Sequence, residues 1–177
     1  LISIFSNQKK YKLFFKSKLS KNFILDCVID GDFKDIIKKR YLDRNTNSKI
    51  FGVYEINEKK ISKNSENKVI KLLKKYKKKS NKFIISDYGH GLITDKIAQF
   101  ISKNKFVYSL NAQINSANRG YHGLFKFKNP DTIIINLSEL RYEFKDRFTK
   151  IENLMVTLKK KLNAKTVVVT RGSKGAI

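Results

Sequence analysis

The feature that most constrains this chain is an alternation. Short runs rich in β-branched and aromatic residues occur at Phe23 to Ile29, Lys82 to Ser86, Lys105 to Leu110, Thr132 to Ile135 and Thr166 to Thr170. Between them lie Asn67 to Lys79, Thr94 to Lys103 and Arg147 to Leu162, whose apolar residues recur every three or four positions, the period of a helix buried on one side. Thr94 stands where an N-cap belongs, with Asp95 in the first turn. Strands alternating with helices of this length predict an α/β fold: a mostly parallel sheet with helices on both faces, in three layers. A different unit interrupts the pattern. Two extended segments, Lys34 to Asp43 and Lys49 to Ile56, flank the turn-forming run Arg44-Asn45-Thr46-Asn47-Ser48 and predict a β-hairpin.

At 177 residues and 41% hydrophobic, the chain can build one domain with a core, spanning 1–177. No stretch reaches the roughly 20 apolar residues of a membrane span, and Leu1 to Phe5 is too short for a signal peptide, so a soluble cytoplasmic protein is predicted. The single cysteine, Cys27, excludes a disulfide framework within the chain and is read as a buried structural thiol. Leu1 is not a start methionine and Gly175-Ala176-Ile177 stops within an apolar strand, so both ends are expected to be cut from a longer chain.

The net charge of +24 invites a nucleic-acid reading, but 33 of the 39 basic residues are lysine, and specific phosphate and base recognition favours the arginine fork. Abundant Lys, Ile, Asn and Phe beside one Pro and one Met indicate compositional bias, and the run Lys71 to Lys79 reads as a solvated helix face.

In an open parallel sheet ligands gather beyond the carboxyl ends of the strands. Four polar segments stand at such ends: Ser86-Asp87-Tyr88-Gly89-His90-Gly91, Asn111-Ala112-Gln113, Asn136-Leu137-Ser138-Glu139, and Thr170-Arg171-Gly172-Ser173-Lys174-Gly175. Asn136 and Glu139 have the spacing of a capping box, and equally of a pair that holds a hydrated magnesium ion and, through it, phosphate. Gly172 and Gly175 suit backbone amides approaching phosphate, or a tight turn into a hairpin. Asp87 is either a ligand beside a substrate or a turn former before Tyr88-Gly89.

In their order, Asp87-Tyr88-Gly89-x-Gly91, Asn136-x-x-Glu139 and Thr170-x-Gly172-x-x-Gly175 resemble the motifs of the ribokinase-like PfkB carbohydrate kinases, and among them the heptose 7-phosphate kinases. The resemblance runs from about Lys34 to Ile177. It implies a partial kinase domain of ribokinase-like fold, with the hairpin at about 34–56 as a lid over the sugar and a possible homodimer contact. It further implies that Asn136, Leu137, Ser138, Glu139, Thr170 and Gly172 bind ATP, that Asn136 and Glu139 hold Mg2+, and that Asp87, Asn111 and Gln113 line the sugar or sugar-phosphate site.

Departures bear on activity. His90 stands where heptose kinases usually have Lys, and Asn111-Ala112-Gln113 where they have Asp-Pro-Lys; the Asn-rich stretch Asn111 to Arg119 would read a different sugar or form a polar loop. His122 is no better supported than His90 as a catalyst or ligand. The chain contains no Gly-Ala-Gly-Asp segment, whose Asp the resemblance makes the general base, so no catalytic residue is assigned and the chain alone is expected to be inactive. Two other readings are a non-catalytic sugar-binding relative and a nucleic-acid-binding module built on Tyr11, Phe14 and Phe15 among lysines.

Overall fold

The structure, a computed structural model, describes residues 1–113 and 123–177; His122 and the part of the Asn-rich stretch beyond Gln113 lie outside the described residues. The chain forms two compact units, residues 1–69 with 90–92 and residues 70–89 with 93–177.

In the first unit β1 (Ile2–Phe5) runs parallel to β2 (Asp26–Ile29), Ile4 beside Val28, with α1 (Lys9–Lys18) between them in sequence. Ile4, Phe5 and Val28 are buried, whereas α1 buries no side chain and holds on through Phe15, which meets Phe5 edge to face at 5.7 Å. Cys27 is half-buried in β2, and burial pushes its thiol up from the ordinary range.

The predicted hairpin is present: β3 (Ile37–Leu42) pairs antiparallel with β4 (Lys49–Glu55). Its turn is set by Asp43, whose Oδ1 accepts the amides of Asn45 (3.0 Å) and Thr46 (2.7 Å) and the Thr46 hydroxyl, while Asn47 takes the left-handed conformation that Asn tolerates. At the hairpin's root the buried Asn57 accepts the Lys34 amide (3.2 Å) and donates Nδ2 to the carbonyls of Lys59 and His90. Gly91 is confined to glycine: φ is +91°, and a Cβ would lie 2.2 Å from the Lys59 carbonyl oxygen. Nearby, Asp30 is buried, which raises its pKa. Bonds from Ser62, Ser65 and the Asp32 amide outweigh that and hold the carboxyl below its ordinary value. Helix α2 (Lys63–Lys77) belongs to this unit as far as Val69.

The second unit is the α/β sheet that the alternation predicts. Strands β5 (Phe83–Asp87), β6 (Tyr108–Ala112), β7 (Thr132–Asn136) and β8 (Thr166–Thr170) are all parallel and adjacent in sequence order, with α3 (Asp95–Lys103) between β5 and β6, and α4 (Leu137–Phe144) and α5 (Ile151–Leu162) between β7 and β8. Thr94 caps α3 as expected, its Oγ1 accepting the Ile97 amide. Leu110, Ile133 and Val167 stand in one register row. With Tyr108, Ile135 and Val169 they make the inner face, closed over by Ile97, Ile101, Leu140, Leu154, Leu158 and Leu162. Each fully buried Leu or Ile contributes about 1.5–3 kcal/mol. The opposite face is more open, Ile84 being 86% exposed. Sequence alternation does not reveal strand order; with neighbouring strands consecutive, right-handed crossovers keep α3, α4 and α5 on one side of the sheet.

Two boundaries shift for local reasons. The run at Lys105 contributes its first residues to a loop: Lys105 is left-handed, and Phe106 packs edge to face on Phe83 (4.8 Å) and Phe100 (6.0 Å). Before α5, Asp146 accepts the amides of Phe148 and Thr149, so residues 147–150 form a turn. Ile177 pairs with Val169 and Ala176 with Thr170, antiparallel to β8. Among the described residues no helix is long and apolar enough to cross a membrane.

Candidate functional site

The carboxyl ends of the four parallel strands carry all four polar segments. The register makes Asn136, the last residue of β7, the direct partner of Thr170, the last of β8. Asn111 sits beside Ile134, two residues before Asn136, so the pleat puts Asn111, Asn136 and Thr170 on one face. Asp87 pairs with Ala112 and faces the other, helix-covered side. The structure thus brings Asn111, Asn136 and Thr170 together and sets Asp87 apart.

Asn136 ends its strand extended and caps α4. Its Oδ1 accepts the Ser138 amide (2.9 Å) and hydroxyl (2.6 Å), and Glu139 Oε2 accepts the Asn136 amide (3.1 Å), which completes a capping box. Leu137 and Ser138 form the first turn. The helix N-terminus therefore opens at the strand ends, where its partial positive charge favours an anion.

The segment after β8 turns back on itself: the Arg171 amide donates to the Gly175 carbonyl (2.8 Å) and the Gly175 amide to that of Gly172 (3.1 Å). Gly172 and Gly175 are left-handed, at φ +61° and +74°, so the turn reading of these glycines holds. A Cβ at either would meet no atom within 4 Å, so the backbone is open to approach. Arg171 donates one guanidinium nitrogen to the Lys174 carbonyl (3.0 Å), while its Nε is shielded from water without a hydrogen-bond partner.

Asp87 is 3% exposed; it accepts the Gly89 amide (3.0 Å), the turn-former's bond, and its Oδ2 lies 2.6 Å from Lys126 Nζ. Lys126, in the 3-10 turn Leu124–Lys126, also donates to the Ile93 carbonyl. Nothing in the sequence singles out this lysine among 33. Asn111 donates Nδ2 to the Ile134 carbonyl (3.1 Å), and Gln113 is exposed just beyond β6, its amide bound to the Asp87 carbonyl. His90 is half-buried in its loop.

These residues fit a nucleotide phosphate with its metal. The backbone at Gly172 and Gly175 is approachable, and α4 presents an N-terminus. Glu139 accepts the Asn136 amide through Oε2, and a carboxylate offers about four lone-pair positions. Among the described residues no group of three or more His, Cys, Asp or Glu could hold a metal alone. A magnesium ion here would arrive with phosphate and keep most of its water.

No family model and no curated protein sequence matches the chain. Solved structures do. Escherichia coli phosphofructokinase-2 in complex with fructose-6-phosphate matches with TM-score 0.65 and 15% identity over 99% of this chain and 58% of its own. The same enzyme in complex with substrates and products gives 0.70, 13%, 99% and 56%. A Clostridium perfringens protein described as a sugar kinase gives 0.58, 13%, 99% and 54%. The chain therefore has the fold of these sugar kinases, and it spans somewhat more than half of their length.

Proposed function

We propose that this chain forms the ATP and magnesium site, together with the lid, of a kinase that transfers the γ-phosphoryl group of ATP to a hydroxyl of a sugar or sugar phosphate. The observation that carries this reading is the meeting of Asn136 and Thr170 at the ends of adjacent parallel strands, with α4 opening from Asn136 and the glycines of the Thr170 segment leaving their backbone approachable. Phosphoryl transfer asks little covalent chemistry of a protein and depends on positioning and charge stabilisation. Glu139 and Asn136 would hold the metal through its water, Thr170 and Gly172 would line the phosphates or ribose, and Asn111 and Gln113 would contact the sugar. Asp87, held by Lys126, shapes the loop at Gly89 more directly than it offers itself to substrate. The substrate class extends to heptose 7-phosphates by the motif resemblance.

The hairpin supports a homodimer through the lid. Tyr41 and Phe51 stack at 4.4 Å on the same face as Val53, and all three are about half exposed. An apolar ribbon face of this kind is covered by its equal in a symmetric dimer. A cytoplasmic location agrees with this chemistry, since ATP is made and spent there.

Without a Gly-Ala-Gly-Asp segment the chain should bind ATP and transfer no phosphoryl group. Calorimetric titration with ATP, with magnesium and with chelator, tests the site. Glu139→Gln keeps an oxygen to close the capping box and removes the charge, so the thermal midpoint should stay put while affinity falls about tenfold, roughly 1.4 kcal/mol, in magnesium only. Equal loss with and without magnesium, or a loss matched by unfolding, would make the pair a helix cap and nothing more.

A further inference from the structure

Composition explains how many lysines the chain has; the fold decides where they stand. In the second unit every helix that precedes a strand ends at the amino edge of the sheet, opposite the candidate nucleotide site. Segments 74–82, 102–105, 128–131 and 159–165 assemble there, tied by hydrogen bonds. Lys77 Nζ donates to the Asn104 carbonyl, the Lys128 amide to Ser102 Oγ (3.0 Å), Lys128 Nζ to the Lys161 carbonyl (3.1 Å), and Asn163 Nδ2 to Asn129 Oδ1 (2.8 Å). These segments hold thirteen lysines and one carboxylate, Asp131, which pairs with Lys165. The remaining described residues of the unit hold six lysines and three arginines against six carboxylates. The excess charge therefore lies on one edge.

Helix dipoles account for part of this, since cations favour helix C-termini. One or two per end suffice, however. The stretch 68–82 carries eight lysines and no Asp or Glu, so pairs such as Lys71 with Lys75 and Lys74 with Lys78 repel at one-turn spacing. An extended anion laid along the edge relieves that repulsion.

We propose that this amino edge binds the sugar-phosphate backbone of a single-stranded nucleic acid, independently of sequence. Four strand starts at about 4.8 Å spacing span about 15 Å, a length that takes several phosphates of one strand. Lysine, a flexible point charge, suits phosphate contact without base readout. A protein partner would want an apolar centre. Among the described residues of the four segments no large hydrophobic side chain is exposed, which also argues against membrane insertion.

The test is fluorescence anisotropy of this chain with a labelled oligouridylate of about 20 nucleotides, over about 50–200 mM salt. Two variants of equal net charge are compared: Lys78→Gln/Lys103→Gln/Lys160→Gln on the edge, and Lys96→Gln/Lys145→Gln/Lys150→Gln off it. All six side chains are exposed, and circular dichroism checks that both variants fold. The edge variant should bind at least about tenfold more weakly at physiological salt and lower the log–log salt slope by about 2, at about 0.7 for each phosphate no longer neutralised, while the off-edge variant stays close to wild type. Equal weakening by both sets would mean diffuse charge and overturn the proposal. So would no binding by wild type, or edge-dependent binding to phosphatidylserine vesicles in its absence on RNA.

Discussion

At the residue scale, the tightest constraint is the pair of Asp87 and Lys126, whose side chains are 3% and 17% exposed. Removing one partner strands a buried charge. Lys126→Met should cost about 3 kcal/mol in urea unfolding, and adding Asp87→Asn should recover at least half of it, because breaking a buried pair costs more than replacing it. Additive losses would show that the pair is not coupled. Tyr108 makes a second prediction. Its ring is buried and its hydroxyl donates to the Lys128 carbonyl (2.7 Å); burial pushes the phenol up to about 12, against an ordinary 10.0. Between those values the unfolded chain gives up this proton and the native one keeps it. The stability Tyr108 supplies is therefore intact below about pH 10 and lost as pH rises toward 12. Absorbance titration should show a tyrosine that resists ionisation in the native protein, and Tyr108→Phe should remove that late step. Asp87 is legible in the sequence as a turn former, and the Gly89 amide bears that out. Its partner is not, because no local pattern marks a lysine that reaches it from 39 positions away.

At the element scale, legibility follows how local the determinants are. The hairpin is readable because Asp43, Asn45 and Thr46 set its turn within a few residues. Strand β8 is readable as an isolated β-branched run, and α3 by its Thr94 cap. Helix α1 escapes the sequence pattern because it buries nothing and so has no amphipathic stripe to detect. The first turn of α2 escapes it because its buried residues, Ser65 and Glu66, are polar. Strand β1 is four residues long and paired with a strand more than twenty residues away. The capping box at Asn136 is legible from spacing alone; whether it also serves a metal is not written in spacing. For the hairpin, Tyr41→Ser with Phe51→Ser should convert a dimer to a monomer in sedimentation without lowering the far-ultraviolet signal of the helices. A wild-type chain that is monomeric at about 100 μM, well above the micromolar Kd of even a weak specific dimer, would rule the lid out as an interface.

At the scale of the whole molecule, the parallel sheet of the second unit separates two chemistries. Its carboxyl edge gathers Asn111, Asn136, Glu139, Thr170 and the open glycines; its amino edge gathers lysine. ATP, itself a polyanion, could be held at either, so affinity alone does not locate it. Amide chemical shifts in isotopically labelled chain, followed as magnesium and ATP are added, do. A nucleotide held at the carboxyl edge shifts the amides of Asn136 to Glu139 and Thr170 to Gly175, and only when magnesium is present. Changes confined to 74–82 and 159–165, insensitive to magnesium, would contradict this placement and leave the chain with a kinase fold and no nucleotide site.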